Sequence, residues 1–188
     1  MNHNIAVYVD KVINYLREQK YSRNRLWRYR EIARAYPDSM RGIIAKFKYN
    51  SIVNAANAYI PLDTEIAERP TFPHWIYGVF ISQGAQIGSG CTIFQQVTIG
   101  SNSLRDSQGV GYPTLGDNVY IGAGAKIIGG VRIGNNVRIG ANCVVTKDIP
   151  DNATVVMQKP RIIIHEIARE NSFVEVDKKQ RESELSRS

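Results

Sequence analysis

The chain has few cysteines and no long apolar segment, so it has little that could cross-link it by disulfides or anchor it in a membrane. It contains only two cysteines, Cys91 and Cys143, which do not make a disulfide framework. No apolar run approaches the roughly 18 residues that are needed to span a membrane. Residues 1–4 lack the basic start and the apolar stretch of a signal peptide. We therefore expect a cytoplasmic protein without a transmembrane segment.

Positive charge is in excess, with 24 lysines and arginines against 17 acidic residues and a net charge of +7. Much of the excess lies between residues 17 and 48, where Trp27 and Tyr29 are interleaved with basic residues. A nucleic-acid patch has this composition, but no recognition motif accompanies it. A solvated helical face, or attraction to phosphate-bearing small molecules or to an anionic surface, explains the pattern better. We predict no nucleic-acid partner.

What the sequence does contain is an apolar residue at every sixth position. Neither a helix, with a period of 3.6, nor a strand, with a period of 2, requires this spacing. A short fixed repeat with glycine at its corners is typical of a parallel β-helix, in which each six-residue unit forms one flat side. The repeat residues are Ile60, Ile66, Phe72, Ile81, Ile87, Ile93, Ile99, Leu115, Ile121, Ile127, Ile133, Ile139 and Val145.

Two interruptions of the repeat indicate where loops leave the coil. A step of sixteen positions in place of six follows Ile99, so about ten residues are extra, near 101–112. A step of nine follows Phe72, so about three residues are extra, and His74 lies among them. A stacked coil accepts insertions only at its corners, and loops on a rigid scaffold often carry function. The two corner loops are therefore the first candidates for an active site.

The predicted architecture is mainly β, with a small N-terminal α-helical section and a C-terminal tail. Helical spacing predicts one helix over 5–19, a second after Ser22, and a third capped by Asp38 or Ser39. The helical section, the β-helix domain and the charged tail are predicted to cover residues 1–57, 58–165 and 166–188.

Motifs within the coil resemble a known family of enzymes. The segments QVTIG at 96–100, PTLGD at 113–117, IGAGAK at 121–126 and VVTK at 144–147 are similar in order and spacing to the serine acetyltransferase branch of the hexapeptide-repeat acyltransferases. The resemblance covers about residues 58–165. It implies a left-handed parallel β-helix, a homotrimer, and acetyl-CoA as the acyl donor. Whether the N-terminal helices join two trimers is left open.

Acetyl transfer from a thioester to a hydroxyl group needs a base for the alcohol proton. Histidine suits this role because its ordinary pKa of about 6.5 lies near working pH. His74 is the histidine in a corner loop, and the resemblance places the family's catalytic histidine there if one residue is inserted after His74. Counted back from the following repeat, the same position falls on Trp75, which we assign to acceptor binding. We predict that His74 is the general base.

The remaining site residues divide between cofactor and acceptor. The resemblance implies that Ala123 and Ala141 contact the cofactor, and Lys147 and Lys159 are candidates to meet CoA phosphates as point charges. Polar side chains of the long loop can hydrogen-bond a polar acceptor, and Asp106 is also a candidate to orient His74. These loop residues are Asn102, Arg105, Asp106 and Tyr112.

The sequence departs from the serine enzymes in two places. The Arg-His pair that precedes the loop proline in that family is Gly111-Tyr112 here, and the aspartate before the first histidine is Pro73. Because the resemblance gives those residues a part in holding the amino acid, the expected acceptor is a sugar hydroxyl in surface-polysaccharide synthesis. Serine O-acetylation for cysteine biosynthesis is the alternative.

Two other functions were weighed against O-acetyl transfer. A trimeric β-helix that binds cofactor without turnover, as a scaffold, stays open. A metalloenzyme of the carbonic anhydrase type needs about three convergent histidines. Because only His74 of the three histidines lies in the coil, we predict no metal site.

Overall fold

The protein is described here by a computed structural model that covers residues 24–158 and 161–171. Residues 24–35 are helical and are called α1, and α2 spans Met40–Ala55. The helix predicted over 5–19 and the Ser22 cap lie outside the described residues. Twelve short strands follow: β1 Glu65–Ile66, β2 Phe80–Ile81, β3 Gln86–Ile87, β4 Thr92–Ile93, β5 Thr98–Gly100, β6 Thr114–Leu115, β7 Tyr120–Ile121, β8 Lys126–Ile128, β9 Arg132–Ile133, β10 Arg138–Ile139, β11 Val144–Val145 and β12 Thr154–Val155.

The strands form three parallel sheets of four strands each. Their orders are β1-β3-β6-β9, β2-β5-β8-β11 and β4-β7-β10-β12, so the chain visits the three sheets in turn from β2 to β11. This confirms the mainly β architecture with parallel sheets.

The pairing register confirms both interruptions of the six-residue repeat. Leu115 pairs with Ile133, which lies 18 positions later, or three units of six. Ile87 pairs with Leu115 at a distance of 28, which is 18 plus the ten extra residues. Ile66 pairs with Ile87 at 21, which is 18 plus the three extra residues. Each insertion therefore leaves the stack at a corner and does not disturb the register on either side.

One large aliphatic side chain per unit fills the interior of the coil. Ile81, Ile99 and Ile127 lie on successive turns of one sheet and are all 0% exposed. The two cysteines are free and buried in the same core. Burial raises the pKa of the Cys91 thiol, so it stays protonated and packs as a small apolar side chain.

Asparagines hold one corner of the coil in a left-handed backbone conformation. Asn118, Asn136 and Asn152 have φ of 54°, 57° and 60°, a region that asparagine tolerates better than most residues. The Nδ2 of Asn118 donates to Oδ1 of Asn136 at 2.9 Å, and Nδ2 of Asn136 donates to Oδ1 of Asn152 at 3.1 Å. The side chains therefore form a hydrogen-bonded ladder that runs parallel to the stack.

Helices α1 and α2 cover the first turn of the coil. Tyr49 of α2 donates its hydroxyl to the carbonyl of Ile60 at 2.7 Å. Arg30 of α1, which is 7% exposed, donates to the carbonyls of Leu62 and Thr64. These hydrogen bonds satisfy carbonyl groups of the first turn, which has no preceding turn of the coil to donate to them. Burial raises the pKa of Tyr49 to about 12, so its hydroxyl remains a donor at neutral pH.

The start of α2 follows the sequence prediction of a cap at Asp38 or Ser39. Ser39 is the N-cap, and its Oγ accepts from the backbone N–H of Gly42 at 3.0 Å. Among the described residues, no helix is both long and apolar enough to cross a bilayer.

The chain divides into two compact units, residues 1–157 and 158–188. The described part of the second unit has no regular helix or strand, and Ile162 and Ile164 are exposed there. The domain limits at 57/58 and 165/166 stay a prediction.

Replacing Arg30 by methionine is expected to lower the free energy of unfolding by about 2–4 kcal/mol. The substitution keeps a long side chain but leaves two carbonyls, one buried and one part-buried, without their donor. Arg28→Met is the matched control, because Arg28 is exposed on the same helix and should change stability by less than about 0.5 kcal/mol. Urea unfolding of both variants measures the difference, and equal midpoints would contradict this role of Arg30.

Candidate functional site

His74 lies at one corner of the coil, which we call the histidine corner. It comprises residues 72–79, 94–97, 122–125 and 140–143, the connections that lead from the β4-β7-β10 sheet to the β2-β5-β8-β11 sheet. Backbone bonds join its successive turns: the N–H of Gln96 donates to the carbonyl of Tyr77, that of Gly124 to Gln95, and that of Asn142 to Ala123.

The three extra residues of this corner come after His74. Before the corner the register is 21, because Thr71 lies opposite Thr92. After it the register is 18, because Phe80 pairs with Thr98. His74 keeps the offset of 21, since its ring contacts Gln95. The extra residues therefore fall between His74 and Phe80, so His74 precedes them and does not lie among them as the sequence analysis expected.

The imidazole of His74 is held by two neighbours from the next turn. Its Nδ1 lies 2.8 Å from Oε1 of Gln95, and its ring meets Phe94 edge-on with centroids 5.2 Å apart. Phe94 in turn lies 5.2 Å from the ring of Tyr120. An amide oxygen can only accept, so Nδ1 carries the proton and Nε2 is left as the basic nitrogen. His74 is exposed, so its ring is open to a ligand.

Gln95 was missed by the sequence analysis, although the register contained the signal. The offsets of the adjoining sheet are 21, 28 and 18. Added one after another to 74, they give 95, then 123, then 141. Gln95, Ala123 and Ala141 therefore occupy equivalent positions on three successive turns, and the ring of His74 meets this row at Gln95. The two alanines predicted to contact a cofactor share the corner of the predicted base.

Trp75 has a different place from the one predicted. Its side chain is 6% exposed and belongs to the apolar core, and its φ is 64°. The left-handed backbone turns the indole inward beside Phe72 and Trp27, with which it lines a pocket of about 330 Å³. We therefore reassign Trp75 from acceptor binding to packing.

The long loop leaves the coil at a second corner, the loop corner, which comprises residues 82–85, 100–113, 128–131 and 146–149. Its ends meet in an antiparallel bridge between Asn102 and Gly111. The N–H of Gly129 donates to the carbonyl of Gly100 at 2.9 Å, and the N–H of Gly130 donates to that of Gly109 at 2.8 Å. The loop is thus anchored at its base on the next turn.

The side chains predicted to bind an acceptor are not equivalent within this loop. Asn102 uses its amide inside the loop, with Nδ2 donating to Ser107 Oγ at 2.7 Å and Oδ1 accepting from the N–H of Leu104 at 3.0 Å. Arg105 and Asp106 are exposed. Tyr112 is 52% exposed. Its ring packs so closely on Gly84 that a Cβ added to this glycine would lie 2.7 Å from the ring. Asn102 therefore shapes the loop, and the other three remain available to a ligand.

Within one chain, the loop corner and the histidine corner are different edges of the coil. Gln95, not Asp106, accepts from Nδ1 of His74. Lys147 follows β11 at the loop corner and is exposed, so it does not share the corner of Ala123 and Ala141. Lys159 lies outside the described residues. In residues 24–158 and 161–171, no group of three or more histidine, cysteine or acidic side chains could hold a metal ion.

Comparisons with known proteins agree with the repeat and with the motifs. Residues 112–147 match the family model described as bacterial transferase hexapeptide (six repeats). A serine acetyltransferase of Synechococcus elongatus is 46% identical over 86 residues, which are 46% of this chain and 34% of that protein. A serine acetyltransferase of Mycobacterium tuberculosis is 47% identical over 79 residues, 42% of this chain and 34% of that protein.

Among solved structures, serine acetyltransferase isoform 3 of Entamoeba histolytica, in complex with cysteine, superimposes with a TM-score of 0.61 at 31% identity. The match covers 76% of this chain and 50% of that one. The chain thus spans about a third of the length of these curated relatives and half of this structure. The resemblance to the serine acetyltransferase-like branch of the hexapeptide-repeat transferases is confirmed.

Replacing Gln95 by leucine is expected to change the tautomer of His74. Without the amide acceptor, the proton should move from Nδ1 toward Nε2. Nitrogen-15 NMR of the imidazole measures the tautomer, and the His74→Ala spectrum assigns the signal. Gln96→Leu makes the same chemical change at the neighbouring exposed position and should leave the spectrum unaltered. An unchanged tautomer in Gln95→Leu would contradict the assigned contact.

Proposed function

We propose that this chain is an acetyl-CoA-dependent O-acetyltransferase built on a left-handed parallel β-helix. The single observation that carries the proposal is the histidine corner, where His74 has its Nδ1 bonded to Gln95 and its Nε2 left as the base. The confirmed resemblance to serine acetyltransferases supports the same chemistry.

In the proposed reaction, Nε2 of His74 takes the proton of the acceptor hydroxyl as its oxygen attacks the thioester carbonyl. The carbon–sulfur bond then breaks, and the CoA thiolate leaves with the proton from the imidazolium. Gln95 keeps Nδ1 as the donor throughout, so that the ring presents the same nitrogen at each step. Histidine is suited to both transfers because its ordinary pKa of about 6.5 lets it give and take a proton near neutrality.

Acetyl-CoA is proposed to lie along the histidine corner. Gly122, Ala123 and Ala141 leave this edge without bulky side chains, so an extended pantetheine arm can approach the backbone. A solved serine acetyltransferase in complex with CoA supports this donor, with a TM-score of 0.55, 29% identity, and coverage of 69% of this chain and 51% of that one. Lys159 stays a proposed partner of the CoA phosphates, and Lys147, which lies at the loop corner, would meet them from a neighbouring chain of the proposed trimer.

The comparisons favour L-serine as the acceptor over the sugar hydroxyl expected from the sequence. The curated relatives and solved structures described above are all serine acetyltransferases. One observation favours the sugar as a second candidate: Gly111-Tyr112 and Pro73 stand where the resemblance places residues that hold the amino acid. We propose serine first and a sugar second.

A homotrimer is proposed to complete the site. The histidine corner and the loop corner are separate edges of one coil, and three-fold packing brings the edge of one copy against a different edge of its neighbour. Arg105, Asp106 and Tyr112 of one chain then face His74 of the next. We place the reaction in the cytoplasm, and the joining of two trimers stays open.

Release of CoA from acetyl-CoA, followed with a thiol reagent, tests the proposal directly. Turnover is expected with L-serine, and a panel of sugars and nucleotide sugars tests the second candidate in parallel. Acetyl-CoA binding without turnover on any acceptor would favour the scaffold alternative.

His74→Ala is expected to lower kcat by about 10²–10⁴-fold, because it removes the general base. His165→Ala is the matched control, since His165 lies in the second unit, where Arg169 contacts its ring at 3.3 Å. That variant should retain activity. Near-normal turnover by His74→Ala would contradict the proposal that His74 is the general base.

A further inference from the structure

Helix α2 has two apolar faces, and only one of them is buried. The buried face contains Gly42, Ala45, Tyr49 and Val53, which pack toward the coil. At about 100° per residue, a second apolar face lies roughly 160° around the helix axis from the first. It is formed by Met40, Ile43, Ile44 and Phe47, which are 72%, 54%, 48% and 75% exposed.

The exposed face, which we call the α2 stripe, has the spacing of a docking surface. Its four residues stand at positions i, i+3, i+4 and i+7, so their side chains form one contiguous patch. Large apolar side chains that are grouped in this way mark a surface that meets another apolar phase. The sequence analysis predicted that this helix exists, and the stripe has no role in the proposed transfer reaction.

The surroundings of the stripe are strongly basic. Helix α2 contains Arg41, Lys46 and Lys48 and no acidic residue. The segment 24–55 holds seven basic and two acidic residues, a net charge of +5. Arg30 is the buried one of the seven, and the other six are exposed. Within the described part of the chain, no carboxylate forms an ion pair with those six.

Aromatic rings support two of these cations. The guanidinium of Arg41 lies 5.4 Å from the ring centre of Tyr36, and Nζ of Lys48 lies 5.6 Å from that of Tyr29. By the same helical arithmetic, Arg41 and Lys48 lie on one side of the stripe and Lys46 on the other. An apolar strip between rows of cations is the pattern of a helix that lies in the interface of an anionic membrane.

Charge decides between the possible occupants of the stripe. A second copy that met it face to face would bring Arg41 and Lys48 against their own equivalents, and like charges disfavour such a contact. Nucleic acid would neutralise the cations but offers no apolar phase to the four large side chains. A bilayer with anionic headgroups satisfies both.

We propose that α2 binds the surface of an anionic lipid bilayer. Met40, Ile43, Ile44 and Phe47 enter the headgroup region, and Arg41, Lys46 and Lys48 meet the lipid phosphates. The chain then attaches to the membrane surface without spanning it. This inference does not depend on the proposed function, and its test involves no acetyl transfer.

Sedimentation of the full chain with lipid vesicles tests the proposal. The wild type should bind vesicles of phosphatidylcholine and phosphatidylglycerol at least about ten-fold more tightly than vesicles of phosphatidylcholine alone. The Ile43→Ser/Phe47→Ser variant keeps every charge and should lose about ten-fold or more in affinity, because two apolar side chains no longer enter the lipid. Arg41→Gln/Lys48→Gln should lose the preference for the anionic lipid.

Val156→Ser/Met157→Ser is the matched control. It removes two apolar side chains that are 74% and 60% exposed outside α2, and it should bind vesicles like the wild type. Circular dichroism checks that all variants fold. Equal binding by the wild type and Ile43→Ser/Phe47→Ser would overturn the proposal, because charge alone would then explain it. Absence of binding to anionic vesicles would also overturn it, as would light scattering that gives a smaller assembly for Ile43→Ser/Phe47→Ser than for the wild type, because the stripe would then join copies of the chain.

Discussion

The parallel register of the coil is the constraint on which the rest of this structure depends. Each inward aliphatic side chain must rest on the one a turn below, because a slip of one residue would turn the apolar set outward. Extra residues can therefore leave only at corners, and both insertions do so. The same register brings His74 over Gln95 and sets Ala123 and Ala141 in line with them. The geometry of the candidate site is thus a consequence of how the core stacks.

Much of the fold was predictable because the spacing of a strict repeat indicates which residues pair on successive turns. The period of six gave the sides of the coil, and the steps of sixteen and nine gave the size of each insertion. The position of the insertion within the corner was harder to predict. Whether His74 or Trp75 faces outward depends on the backbone at Trp75, where φ is 64°. An aromatic residue does not predict that conformation in the sequence.

The features that the sequence did not reveal depend on contacts between distant segments. In the sequence, Gln95 resembles any other polar residue at a corner of the coil. Only the register places it beside the imidazole of His74. Arg30 looks like one more cation in a basic region, yet it is buried against two carbonyls of the first turn. The exposed face of α2 was hidden for the opposite reason, since Ile43 and Phe47 look like core residues but the helix packs through another face, which includes Ala45 and Tyr49.

The placement of the three extra residues after His74 has a consequence for how such sites diversify. The imidazole keeps the register of the turn that precedes it, while the chain beyond it is free to lengthen or shorten before the next strand begins. Changes in length at this corner therefore reshape the wall beside the imidazole without displacing the imidazole. Descendants of one scaffold can in this way exchange the molecule they act on and retain the step they perform on it.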